Sequence, residues 1–185
     1  MKYALVFFFI VNVSCSTIVE LANGVNKESK SKEYYLKLFE RKGIDANVIY
    51  FPVINDQKER NQFLYQITRQ KYYYFYGVIK NENSKYWFKN ISDASHGCQQ
   101  VLFSLQNEAV YPLKCYQKNE IPLLNYSYKN SIGEEFVVSN KKTVILLYNH
   151  AIGKAIFKDI KPILEFVQKN NEYNCRIIVA DFFNE

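Results

Sequence analysis

The chain has 185 residues, of which 48% are apolar and 23% charged, with 16 Tyr and 14 Phe. This composition excludes intrinsic disorder and is enough to bury one domain's core. The net charge of +6 is spread over lysines that sit beside acidic or amide residues, as in Lys27-Glu28 and Lys58-Glu59; no basic run marks a nucleic-acid groove, so the charge reads as a solvated surface.

The first fourteen residues read as an export signal. Met1-Lys2 supplies positive charge, Ala4–Val13 an apolar run, and Ser14-Cys15-Ser16 a small-residue end. The run is too short to span a bilayer, which needs about twenty apolar residues. By periodicity alone VFFFIVNV would also suit a buried first strand; the terminal position and the leading lysine favour export. Residues 15–31, with Asn23-Gly24 and KESKSK, read as a tether, and 32–185 as a single domain.

The domain begins with a helical stripe over Lys32–Lys42, with apolar residues at 35, 36, 38 and 39 and Gly43 as its stop. Ala46–Val53 reads as a strand. Asn55-Asp56 then opens a helix to about Gln70, with Phe63, Leu64 and Ile67 on one face. The aromatic run Tyr72–Ile79 predicts a central strand buried on both faces; an exposed stacking surface for sugar or nucleic acid is the competing reading. Asn81–Ser84 is a turn, and Lys85–Lys89 the second strand of a hairpin. A helix from Ser92 or Asp93 to Gln106 and a strand over Val110–Tyr116 follow, and Pro122, Asn125 and Gly133 punctuate the rest.

The last third is the clearest. The unbroken apolar run Lys142–Tyr148 predicts a buried strand. Gly153–Lys169 predicts a helix kinked at Pro162, which lacks an N–H and collides with the preceding turn. Cys175–Phe183 predicts a second strand. Two buried strands joined by a helix imply a parallel crossover.

Few residues suggest chemistry. Four cysteines occur, at 15, 98, 115 and 175, with no C-x-x-C, and the two histidines, His96 and His150, give no metal-ligand spacing. No cofactor motif is present. Cys98 and Cys115 are nearest in sequence and form the candidate disulfide; small buried hydrophobes are the alternative. Asn149, His150 and Lys154 follow the strand 142–148, where α/β sites form. They make a candidate binding turn, against the plainer reading of a solvated loop. Asn90-Ile91-Ser92 and Asn125-Tyr126-Ser127 match glycosylation acceptors, with chance occurrence the default.

Two resemblances bear on these segments. Asn12-Val13-Ser14-Cys15 resembles a bacterial lipoprotein signal, although Asn12 stands where Leu is usual. That resemblance implies a lipidated Cys15 as the mature N-terminus, attachment to a membrane in the cell envelope, and three remaining thiols. Ordinary cleavage near Ser14 or Ser16, giving a secreted protein, is the alternative.

The segment from Thr143 to Phe183 resembles the strand–helix–strand core of thioredoxin-like proteins, with KPILEFV (Lys161–Val167) like the stretch around that family's kinking proline. Residues 46–106 resemble its other half, in reversed order. The resemblance implies an α/β three-layer sandwich with a mixed central sheet, circularly permuted or duplicated. The chain is also similar to small, uncharacterised bacterial lipoproteins that share a short signal ending in Cys and a segment like Lys42-Gly43-Ile44-Asp45.

The thioredoxin-like active site needs two thiols at a helix N-terminus. Lys154 and Phe157 stand there, and Lys71-Tyr72 stand where the family has its proline. The expected function is therefore that of an anchored envelope protein with a redox-inactive domain and an unidentified protein partner. The alternative is a thiol-disulfide oxidoreductase using Cys98, Cys115 or Cys175. Export argues against a nucleic-acid partner.

Overall fold

The computed structural model describes residues 30–68, 75–90, 98–108, 112–150, 153 and 156–181, without the side chains of residues 64, 67, 68, 90 and 98–100. In chain order the elements are α1 (Lys32–Glu40), β1 (Ile49–Val53), α2 (Gln57–Thr68), β2 (Phe75–Glu82), β3 (Lys85–Asn90), α3 (Cys98–Gln106), β4 (Lys114–Tyr116), β5 (Ser127–Lys129), β6 (Lys142–Tyr148), α4 (Phe157–Gln168) and β7 (Tyr173–Val179). The strands form one sheet in the order β4-β3-β2-β6-β7-β1-β5. β6, β7 and β1 run parallel to one another. The remaining neighbours are antiparallel, so the fold is α/β with a seven-stranded mixed sheet and four helices among the described residues.

Local chemistry sets most boundaries. Ser31 caps α1, its Oγ accepting from Tyr34 N at 3.3 Å. Gly43, at φ 72°, ends that helix in the left-handed conformation a side chain resists. Asp45 Oδ1 accepts from Asn47 N at 2.8 Å and turns residues 46–48 into a short 3₁₀ segment. The predicted strand over 46–53 therefore starts only at Ile49. Asp56 Oδ1 accepts from Glu59 N, while Glu59 Oε2 accepts from Asn55 N, a reciprocal cap that starts α2. Between β2 and β3, Asn83 and Ser84 both have positive φ, 53° and 61°. That is the two-residue turn whose twist suits a hairpin.

β2 lies between β3 and β6 with Phe75–Ile79 buried, as the aromatic run predicts; residues 72–74 lie outside the described part. A bulge between Phe75 and Gly77 shifts its register against β6. Of the predicted strand over 110–116, Lys114–Tyr116 form the edge strand β4 and Pro112 and Leu113 precede it as loop; residues 110 and 111 lie outside the described part. β5, which pairs with β1, is unannounced by any apolar run because it is only three residues long.

Side chains alternate across the sheet. Ile49, Val144, Leu146, Cys175 and Ile177 point to one face, which α1, α3 and α4 cover through Tyr35, Phe39, Leu105, Phe157 and Ile160. Tyr50, Ile145, Leu147 and Ile178 point to the other, covered by Phe63 of α2 and by Ile121 and Leu123 of the 3₁₀ turns before β5. Burial on both faces is what makes the β6 sequence continuously apolar.

Pro162 lies inside α4 on its exposed side, one turn beyond the exposed Lys158. The carbonyl left without a helical partner there can take water, which is why the helix tolerates the proline. Pro162→Ala restores that hydrogen bond and should stabilise the fold by about 1–2 kcal/mol, less than the full helix penalty because the unfolded chain also gains freedom. The urea midpoint measures this.

Candidate functional site

The candidate site is built where β6 and β7 end together. Beyond the last paired residues the two chains stay joined: Ala180 N donates to Tyr148 O at 2.7 Å, and Asn149 Nδ2 donates to Ala180 O at 2.8 Å. One residue further on, Asp181 turns inward with a side chain only 1% exposed. Its Oδ2 accepts from Tyr35 Oη at 2.6 Å and from His150 N at 2.9 Å, and meets His150 Nδ1 in a short contact. Tyr35 is itself fully buried and reaches across from α1. Three groups from two residues thus converge on one carboxylate oxygen. A carboxylate can only accept, so across this contact His150 Nδ1 is the donor to Asp181.

An aromatic wall surrounds the cluster. The Tyr148 ring packs edge-on to Tyr35 and Phe39, with centroids 5.9 and 5.0 Å away, and against Phe157 at 5.6 Å. Burial, then the hydrogen bond to Asp181, pushes the Tyr35 hydroxyl far above the ordinary phenol range. Burial raises Tyr148 as well, helped by Tyr34 and Asp181. Both phenols therefore stay protonated and act as neutral hydrogen-bonding groups. Beside this end of the sheet a cleft of about 590 Å³ opens between α1 and the ends of β1 and β5, lined by Lys32, Leu36, Pro52, Asn55, Lys129 and Asn130 among others.

A second polar cluster ties α3 and the residues just after it to the sheet. Lys89 Nζ donates to Ser104 O at 3.2 Å and to Ser104 Oγ at 2.8 Å, in the last turn of α3, where a cation meets the negative helix end. Burial lowers the Lys89 pKa. Glu108 bonds Lys142 Nζ at 2.6 Å and also Tyr173 Oη. Burial works to raise the Glu108 carboxyl, but those two hydrogen bonds outweigh it and hold it below the usual range. These bonds fasten a helix end and leave no group free for chemistry.

No family model, no curated protein and no solved structure matches this chain.

The structure thus brings together two of the three residues of the predicted binding turn, Asn149 and His150; Lys154 lies outside the described residues, as does Cys15. Cys98 begins α3, its side chain likewise outside the described part. Cys115 is an exposed free thiol on β4, and Cys175 a buried one in β7. Burial pushes the Cys175 thiol up to about 12. Four inter-strand steps separate their strands, which at about 4.8 Å each is far beyond the roughly 7 Å limit for Cα atoms of a disulfide. In the folded protein iodoacetamide should label Cys115 readily and Cys175 only after denaturation, as peptide mass spectrometry will register. Among the described residues no group of His, Cys, Asp and Glu could hold a metal ion.

Sequence reasoning missed Asp181 and Tyr35. An acidic residue directly after the apolar run IIVA was the available signal for Asp181. Tyr35 counts only as an apolar position of a helical stripe until the helix is docked.

Proposed function

We propose that this chain is an exported lipoprotein, held on the bacterial envelope through lipid on Cys15, whose thioredoxin-like domain is redox-inactive and serves to bind a protein partner or support an envelope assembly. The observation that carries the reading is the end of the parallel strands. At that end His150 and Tyr35 are both held by Asp181, and Lys154 and Phe157 stand where the resemblance puts the two thiols. Cys175 is sealed in mid-strand with its thiol pushed up to about 12, unsuited to exchange.

The permuted arrangement has support in the strand order. The parallel pair β6–β7 frames α4, and the hairpin β2–β3 lies antiparallel beside β6 although it precedes it in the chain. For the anchor the support is the Lys2, apolar-run and Ser14-Cys15 sequence. Among the described residues no helix is long and apolar enough to cross a membrane.

Mass spectrometry of the mature N-terminus tests the anchor: an acylated Cys15 is expected, and an unmodified Cys15 or cleavage beyond it rejects lipidation. An insulin-reduction assay tests redox silence. Dithiol-dependent turnover that disappears in a Cys→Ser variant would replace this reading with an oxidoreductase.

A further inference from the structure

β4 is the last strand at one end of the sheet, with β3 on one side and no strand on the other. Which of its main-chain groups reach β3 follows from the neighbouring hairpin. The two-residue turn at Asn83-Ser84 makes Glu82 and Lys85 the hydrogen-bonded pair that closes it. Bonding then alternates along β3: Lys85 and Trp87 bond to β2, Tyr86 and Phe88 to β4. Asn81 N donates to Ser139 O, away from β3, as the same alternation requires. Tyr86 and Phe88 face Tyr116 and Lys114. Those two residues therefore bond to β3, and the N–H and C=O of Cys115 between them point out of the sheet. Neither group has a hydrogen-bond partner among the described residues, and Cys115 is exposed.

An open edge of this kind can take an extended chain as a further strand. The charge around it decides which chain. Lys114 and Lys118 stand on either side of Cys115, and Lys85 lies beside Gln117, one residue past the Tyr86–Tyr116 pair. All three lysines are exposed, and none makes an ion pair with a described residue. The nearest acidic residues along the chain are already engaged. Glu82, opposite Lys85, pairs with Lys80, and Glu120 Oε2 accepts from Gln117 N. Lysines on an edge repel a second copy of this basic chain. The same charge favours carboxylates.

We propose that the β4 edge binds an extended, acidic segment of a protein partner as an added strand, with the N–H and C=O of Cys115 as its main-chain contacts. The proposal rests on the partner-binding role given above and names the surface and the kind of partner. A phosphate of a nucleic acid or a lipid could meet the lysines and accept from the N–H. Only a peptide main chain also donates to the C=O beside it.

The probe is a blocked octapeptide of alternating Glu and Thr, added to the full chain in detergent and followed by amide hydrogen exchange. In the protein alone the Cys115 amide should exchange freely, while those of Lys114 and Tyr116 are protected by their bonds to β3. The peptide should slow exchange at Cys115 about tenfold or more, with half-saturation below roughly 1 mM. Lys114→Glu combined with Lys118→Glu should weaken binding by about tenfold, since like charges then meet across the added strand. The same peptide methylated at every main-chain nitrogen keeps its charge but loses its donors, and should leave Cys115 unprotected. Protection of Cys115 in the protein alone overturns the proposal, as does no added protection at that peptide concentration. A double variant that binds as tightly as the wild type also overturns it. So does a methylated peptide that binds equally well, which would leave only charge attraction of the kind a nucleic acid or membrane exerts. Acylation of Cys15 and insulin reduction read neither exchange nor peptide binding, so failure here and failure of the proposed function are distinguishable.

Discussion

Gly77→Ala should cost about 3 kcal/mol or more and unseat the β2–β3 hairpin. A Cβ at Gly77 would sit 2.2 Å from the Lys89 carbonyl oxygen and 2.7 Å from Phe88 Cε2. The ring could tilt, but the carbonyl belongs to the backbone of β3, which pairs with β2 over six residues on each strand. Relief therefore requires the two strands to separate where Gly77 faces Asn90. That is overpacking against a part of the structure that cannot repack, at the upper end of its usual range. Gly77 also follows the bulge that sets the register of β2 against β6, so the displacement would reach the centre of the sheet. A lowered urea midpoint, together with faster amide exchange in β2 and β3, is the expected result. A midpoint unchanged from the wild type would mean that the strands stand further apart than described.

Asp181→Ala should cost about 3 kcal/mol. The substitution removes the acceptor for the Tyr35 hydroxyl, the His150 backbone N–H and the His150 ring at once. Each buried donor left without a partner costs about 1–3 kcal/mol, and the losses add incompletely because the groups share one site. Tyr35 cannot turn to water, since it is fully buried between α1 and the sheet. Tyr35→Phe removes one donor and leaves the other two bonded to Asp181, so it should cost less, about 1 kcal/mol. Urea denaturation of the two variants and their combination measures the coupling. If the two single losses simply add, the hydrogen bond between these residues is absent in solution.

The elements with unbroken or strictly periodic apolar patterns were legible in advance. β6 falls at Lys142–Tyr148 as its apolar run predicts, and α1 and α2 begin at Lys32 and Gln57, the second behind the predicted cap at Asp56, because capping is local chemistry between residues three apart. In place of the predicted strand over 175–183, β7 runs from Tyr173 to Val179, with Ala180 and Asp181 beyond its end. Tyr173 and Asn174 join the ladder by facing Lys142 and Thr143, a pairing that no local pattern announces. The binding turn was half legible for a similar reason. His150 follows a buried parallel strand, and sites gather at such ends. Asp181 lies 31 residues further along and Tyr35 lies 146 residues from Asp181, so their meeting depends on the parallel pairing of β6 with β7 and on the docking of α1.

The sequence by itself determined the α/β class, the parallel β6–α4–β7 unit, the short apolar N-terminal run that precedes Ser14-Cys15 and the want of a C-x-x-C motif, because each rests on neighbours along the chain. Only the tertiary structure decided that Cys175 is sealed in mid-strand while Cys115 lies exposed at the far edge, and that Tyr35 and His150 share the buried oxygen of Asp181. Burial and long-range hydrogen bonds are properties of strands and helices brought together. They exist only once the sheet order is set, and no local pattern in the chain carries them.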